Sequence, residues 1–202
     1  MKTTQNNQIT LSGTMASEFT FSHESFGEKF YSFILEIERI SGTKDYLPII
    51  VSERLIDSEI TYENNPICVI GQVRSYNISD GEKTHLVLSV FALDLYLAEE
   101  STNTNDLYLD GYICRQPSFR TTPSGRQISD LLIAVNRVCG KSDYIPCISW
   151  GRDAALASRL EVGTHISFVG RMQSREYQKM VDGVPENKTA YEISIARIES
   201  YE

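Results

Sequence analysis

The chain has 202 residues, 41% hydrophobic and 23% charged, with a formal net charge of −8. These are ordinary globular values for one domain or two of about 100 residues each. The acidity argues against a general polyanion binder, and no apolar run approaches the roughly 20 residues of a membrane span. The opening M-K-T-T-Q-N-N-Q has no apolar h-region, so no signal peptide is expected and a cytoplasmic location is. Four cysteines (Cys68, Cys114, Cys139, Cys147) form no C-x-x-C pair, and His23, His85 and His165 lie far apart. A zinc site wants grouped ligands at short spacing, so neither metal nor cofactor is expected.

The charge is unevenly placed. Residues 1–106 hold 7 Lys+Arg against 16 Asp+Glu, a formal −9, while residues 107–202 hold 12 against 11, a formal +1. Distribution, more than the sum, decides what such a chain can bind.

Taken in order, Gln8–Met15, Phe30–Ile40, Tyr46–Val51, Ile67–Arg74 and His85–Leu97 read as strands. They are rich in β-branched and aromatic residues and bounded by Gly, Pro, Asn or Ser. Ser52–Glu59 is a weak helix candidate. A polar stretch at 98–106 reads as a linker. The series then repeats at Leu107–Arg115, Gln127–Val138, Tyr144–Trp150, His165–Gln173 and Ala190–Glu199, with a stronger helix, Arg152–Leu160, stopping before Gly163.

The repetition is visible in the residues. A shift of 98 lays Ile9-Thr10-Leu11-Ser12-Gly13 on Leu107-Tyr108-Leu109-Asp110-Gly111, Gly27 on Gly125, and Arg39 on Arg137. It also lays Asp45-Tyr46-Leu47-Pro48 on Asp143-Tyr144-Ile145-Pro146. One extra residue puts Val69-Ile70-Gly71 on Phe168-Val169-Gly170, and a hairpin longer by six more puts Lys83-Thr84 on Lys188-Thr189. A constant offset over so many positions marks a tandem duplication. The expected fold is all-β: two tandem OB-folds, each a five-stranded Greek-key barrel with a short helix between strands 3 and 4. The domains would be 1–97 and 107–202. A generic small β-barrel fits the same pattern.

Single strands of nucleic acid are held by aromatic platforms and by cations along the backbone track. Tyr144 and Trp150 sit six apart on one strand, hence on one face, although periodicity does not say which face points outward. Tyr177 lies in a long polar hairpin beside Arg175 and reads as exposed. Arginines at 115, 120, 126, 137, 152, 171 and 175 interleave through this copy.

The second copy resembles the bacterial single-stranded DNA-binding protein family. Pro117, Arg120 and Thr122-Pro123-Ser124-Gly125 meet its P-x-x-R-x-T-P-S-G loop, and Ile133-Ala134-Val135-Asn136-Arg137 its L-A-x-N-R strand. Asp143-Tyr144 through Trp150-Gly151 and Gly170-Arg171-Met172-Gln173-Ser174-Arg175-Glu176-Tyr177 meet the two remaining motifs. The resemblance puts base stacking on Tyr144, Trp150 and Tyr177, with phosphate contacts expected from Arg115, Arg120, Arg137, Arg171 and Arg175. Its four-domain assemblies imply a homodimer of this chain. A further stacking position falls near Cys139, and the family's usual histidine after Tyr144 is Ile145. The chain ends without the family's acidic tail, so tail-mediated partner docking is not expected.

In the first copy Trp150 becomes Ser52, Tyr177 becomes Ile78, Arg120 becomes Ser22, Arg171 becomes Gln72 and Arg175 becomes Tyr76. Tyr46 and Arg39 remain as candidate contacts, and Phe19, Phe21, Phe26 and Phe30 as a further stacking face. The expectation is non-catalytic binding of single-stranded DNA, mainly through the second copy, in replication, recombination or repair. The competing reading is a protein-interaction adaptor with vestigial DNA binding. A nuclease would need clustered carboxylates, and Asp130, Asp143 and Asp153 are scattered.

Overall fold

Alternating burial builds the strands. Phe33, Leu35 and Ile37 turn inward on one, and Leu47, Ile49 and Val51 on the next. The structure is a computed structural model that describes residues 6–79, 84–181 and 184–202. The first half runs β1 (Asn7–Met15), β2 (Thr20–Ser25), β3 (Glu28–Glu38), β4 (Lys44–Ser52), β5 (Pro66–Ser79) and β6 (Thr84–Leu97). The second runs β7 (Asn105–Ile113), β8 (Ser118–Thr121), β9 (Gln127–Asn136), β10 (Ser142–Trp150), α1 (Gly151–Ala157), β11 (His165–Val181) and β12 (Val184–Tyr201). Asn105 and Asp106, expected in the linker, open β7.

Each half closes into a barrel. β1 pairs with β3 and β5, β3 with β4, β4 with β6 in parallel, and β6 with β5. β7, β9, β10, β12 and β11 repeat that circuit. This is the OB-fold arrangement, twice. Each half also has a strand more than expected: β2 and β8 extend hairpins with β3 and β9. Their side chains are almost all exposed, so they carry no hydrophobic period to read.

The two helix positions differ. α1 buries Ala154 and Ala157 against the barrel. The first half has only a 3-10 turn, Glu53–Leu55, which buries no residue and is capped by Ser52 accepting from the Arg54 N–H at 3.1 Å. With no small apolar face to pack, a longer helix has nothing to hold it.

A shift in register also corrects the alignment of the copies. Ile49 lies opposite Val90, and Cys147 opposite Ile193. The antiparallel hairpins agree, with Val73 opposite Val90 and Met172 opposite Ile193. β6 therefore maps onto β12 with a shift of 103, so that Thr84 corresponds to Asn187 rather than Thr189. Lys83 lies outside the described residues.

The halves join through β1 and β7, antiparallel and centred on Ile9 opposite Leu107. These two residues are equivalents in the repeat, so the junction has an approximate two-fold axis. β1 uses one edge twice, with Asn7–Leu11 on β7 and Thr14 and Met15 on β3. The handover falls at Gly13, where a Cβ would stand 2.2 Å from the Glu36 carbonyl oxygen. Gly111 is its counterpart, 2.5 Å from the Ala134 carbonyl oxygen. Only glycine permits that approach of backbone to backbone. No helix among the described residues is long and apolar enough to cross a membrane.

Candidate nucleic-acid interface

Ladder register fixes which side chains share the outer face of the second barrel. Arg171 lies opposite Ser194, Ser194 beside Ile148, Ile148 opposite Asp130 and Asp130 opposite Ser118. Directly opposed residues point to the same side, and so do residues two apart on a strand. Arg175 and Tyr177 on β11, Tyr144 and Trp150 on β10, and Arg120 on β8 therefore belong to this face. The opposite face is core: Met172, Ile193, Cys147, Ile145, Leu131 and Ile133 are buried. Ile145, where the resemblance expects histidine, is wholly within it.

All three expected stacking aromatics are accessible, at 47% for Tyr144 and 38% each for Trp150 and Tyr177. The periodicity that left two faces open thus resolves with this pair outward. Trp150 Nε1–H donates to Ser194 Oγ at 3.1 Å, which pins the polar edge of the indole. The Arg175 guanidinium lies 5.6 Å from the Tyr177 ring centroid, within cation–π range. Tyr144 is held through its backbone N–H, which donates to Ser75 Oγ of the first half at 2.8 Å.

The arginines divide by environment. Arg171 and Arg175 make no ion pair among the described residues. Arg120 Nε–H donates to Asp130 at 2.9 Å but stays largely exposed. Arg115 is exposed between β7 and β8, outside the rows described above.

Arg137 does not belong with them. Its guanidinium grips both carboxylate oxygens of Asp143, through Nε at 2.7 Å and through NH2, and NH2 also donates to the Ser75 carbonyl at 3.3 Å. Asp143 is fully buried and also accepts from Arg74 at 3.0 Å and from the Ser75 N–H at 2.6 Å. Burial pushes the Asp143 carboxyl pKa up, but Arg137, the Ser75 N–H and Arg74 together push it further down, to a net value below its ordinary one. Arg39 repeats the arrangement, donating to Asp45 at 2.6 and 2.5 Å and to the Ser174 carbonyl at 3.3 Å. Both arginines, expected as strand contacts, are instead braces between the halves, because a buried carboxylate needs its charge paired.

In the first half Tyr46 is exposed, and a hydrogen bond with Glu36 raises its hydroxyl pKa. Phe19 packs edge-on against Phe33 and Tyr62, and Phe30 is buried, so both are core; Phe21 and Phe26 are exposed. Two exposed aromatics of the second half, Tyr112 and Phe119, were not singled out by the motifs. Phe119 had a signal, its alignment with Phe21. Cys139, at the further stacking position, is exposed and is not a ring.

The pattern of the Single-strand binding protein family matches residues 104–201. The second barrel belongs to that family. The chain is 33% identical over 81 residues to the "Single-stranded DNA-binding protein" of Oceanobacillus iheyensis, covering 37% of this chain and 50% of the relative. It is 32% identical over 81 residues to the "Single-stranded DNA-binding protein A" of Bacillus subtilis, covering 37% and 47%. The chain thus spans about half the length of the curated relatives it matches. In fold it is similar to the wild-type single-stranded DNA binding protein of Thermus aquaticus, with a TM-score of 0.76 at 22% identity over 96% of this chain and 91% of that one. A deletion mutant of the Thermus protein gives a TM-score of 0.74 at 19% identity. The two-barrel architecture of this single-strand binding family member therefore extends through both halves.

Proposed function

We propose that this chain binds single-stranded DNA without catalysis, through the outer face of its second barrel, and acts in the cytoplasm in replication, recombination or repair. The observation that carries the reading is the outward placement of Tyr144, Trp150 and Tyr177 on one face with Arg120, Arg171 and Arg175, inside the family match. Bases stack on the rings at about 1–3 kcal/mol each, and the arginines follow the phosphates. Arg115 adds a cation at the margin. The split into a binding domain at 107–202 and an acidic domain at 1–97 belongs to this proposal, as does a homodimer presenting four barrels. A monomeric mass in light scattering counts against the dimer alone.

The test uses Trp150, the one tryptophan of the sequence. Titration with oligo-dT quenches its fluorescence if bases stack there, and the affinity falls with salt at a log–log slope near −0.7 per phosphate contact. Unchanged emission and no mobility shift at low salt favour the adaptor reading.

A further inference from the structure

The corrected register changes what the first barrel presents. With β6 set on β12 by a shift of 103, Phe91 occupies the place of Ser194, the residue that Trp150 touches. Ser52 occupies the place of Trp150. The aromatic side chain has not been lost from this face; it stands on the neighbouring strand. Phe91 is partly exposed and leans on Phe30 at 5.8 Å between ring centroids.

Phe91 lies in a cleft of about 640 Å³ between the two halves. Ile50, Gln72 and Tyr76 line it from the first half, and the turn from Asn136 to Cys139 closes it from the second. Although the first half carries a formal −9, no Asp or Glu is among the described residues lining the cleft. Two arginines are, Arg74 and Arg137, sharing the one buried carboxylate of Asp143 behind them. That trio carries a formal +1, so the acids of this half do not repel an anion here.

The cleft also continues the proposed binding face. Ser75 accepts from the Tyr144 backbone N–H, and the next residue, Tyr76, is 44% exposed at the cleft. A strand stacked on Tyr144 meets Tyr76 next.

We propose that this cleft is a second nucleotide-binding site, entered by the same single strand as it passes from Tyr144 over Tyr76 toward Phe91. Rings supply stacking, Gln72 and Asn136 supply amide groups for base edges, and the Arg74–Arg137 pair faces the backbone. The proposal rests on single-strand binding by the second barrel.

The test compares oligo-dT of about 8 nucleotides, which one barrel can cover, with oligo-dT of about 20, which reaches both. The wild-type chain should bind the longer oligomer at least tenfold more tightly. Tyr76→Ala should weaken the longer one by about 5- to 100-fold, leaving affinity for the shorter one and its quenching of Trp150 unchanged. Tyr76→Leu, which keeps apolar bulk and removes the ring, should behave the same way and guards against an unfolded alanine variant. If both variants bind the longer oligomer like wild type while Trp150 is still quenched, the cleft is refuted and the second-barrel site stands. If neither oligomer quenches Trp150 in the wild-type chain, the parent reading fails and takes the cleft with it.

Discussion

Ser75 and Asp143 belong to different barrels and are bound to each other through the Ser75 backbone N–H, 2.6 Å from Asp143 Oδ1. The same bond is made in the reverse direction by Ser174 and Asp45 at 2.7 Å. Each serine hydroxyl then accepts the backbone N–H of the tyrosine after the aspartate, Tyr144 or Tyr46. Together with the β1–β7 ladder, these paired braces hold two copies of one fold in a fixed mutual orientation. They also place Tyr144 beside Tyr76.

Replacing one buried carboxylate should release that orientation. Asp143→Asn leaves Arg137 and Arg74 without their counter-charge in a half-buried site. Breaking a buried pair from one side costs about 3–5 kcal/mol. Urea unfolding followed by circular dichroism should show a loss of that order, whereas Asp130→Asn, at an exposed pair, should cost under about 1 kcal/mol. Equal small losses would show that the braces do not hold the barrels.

Acid should act on the same bond. Asp143 titrates below its ordinary value of 3.8 in the folded protein. A depressed carboxyl contributes stability that is fully present above the unfolded pKa and is lost as pH falls through the folded one. The thermal midpoint should therefore drop as pH is lowered below about 4, and Asp143→Asn should drop less steeply over that range. An identical pH profile in the variant would remove Asp143 from the acid response.

The repeat, the alternation of the core strands and α1 were legible because apolar period, Gly13/Gly111 and an Ala-rich face each leave a mark in the residues. β2 and β8 left none, being exposed on both faces. The last strand of each barrel was placed two residues out because the paired Lys-Thr residues imitated a register that the ladders do not have. That error hid the correspondence of Phe91 with Ser194. The braces did have a signal: Arg39 persists at the position of Arg137 in the copy that lost the counterparts of Arg120, Arg171 and Arg175. An arginine kept where strand-contact arginines are gone, six residues before an aspartate in both copies, serves the fold.

Arg171 and Arg137 should accordingly separate when mutated. Arg171 makes no ion pair among the described residues and faces outward with Tyr177. Arg171→Ala should weaken oligo-dT binding and reduce the salt slope by about 0.7, with the unfolding midpoint unchanged. Arg137→Ala should lower stability by about 3–5 kcal/mol and leave the slope of the remaining folded protein nearly as it was. A lower slope in Arg137→Ala with intact stability would return that residue to the phosphate track.

The handover glycines give the sharpest structural test. A Cβ at Gly111 meets the Ala134 carbonyl oxygen at 2.5 Å and the Ile133 Cγ2 at 2.9 Å, and the carbonyl is backbone that cannot rotate away. Gly111→Ala must push β7 off β9, where Tyr112 and Ile113 complete the second barrel. Forced overpacking of this kind costs about 1–3 kcal/mol, and loss of ladder bonds adds to it. Gly125→Ala, at a turn where a Cβ meets nothing within 4 Å but φ is +80°, pays only the backbone strain of about 1–2 kcal/mol. The expected order is therefore a larger loss at Gly111, with weaker oligo-dT binding as the outer face distorts. A loss at Gly125 equal to or above that at Gly111 would mean that barrel closure tolerates a side chain at the handover.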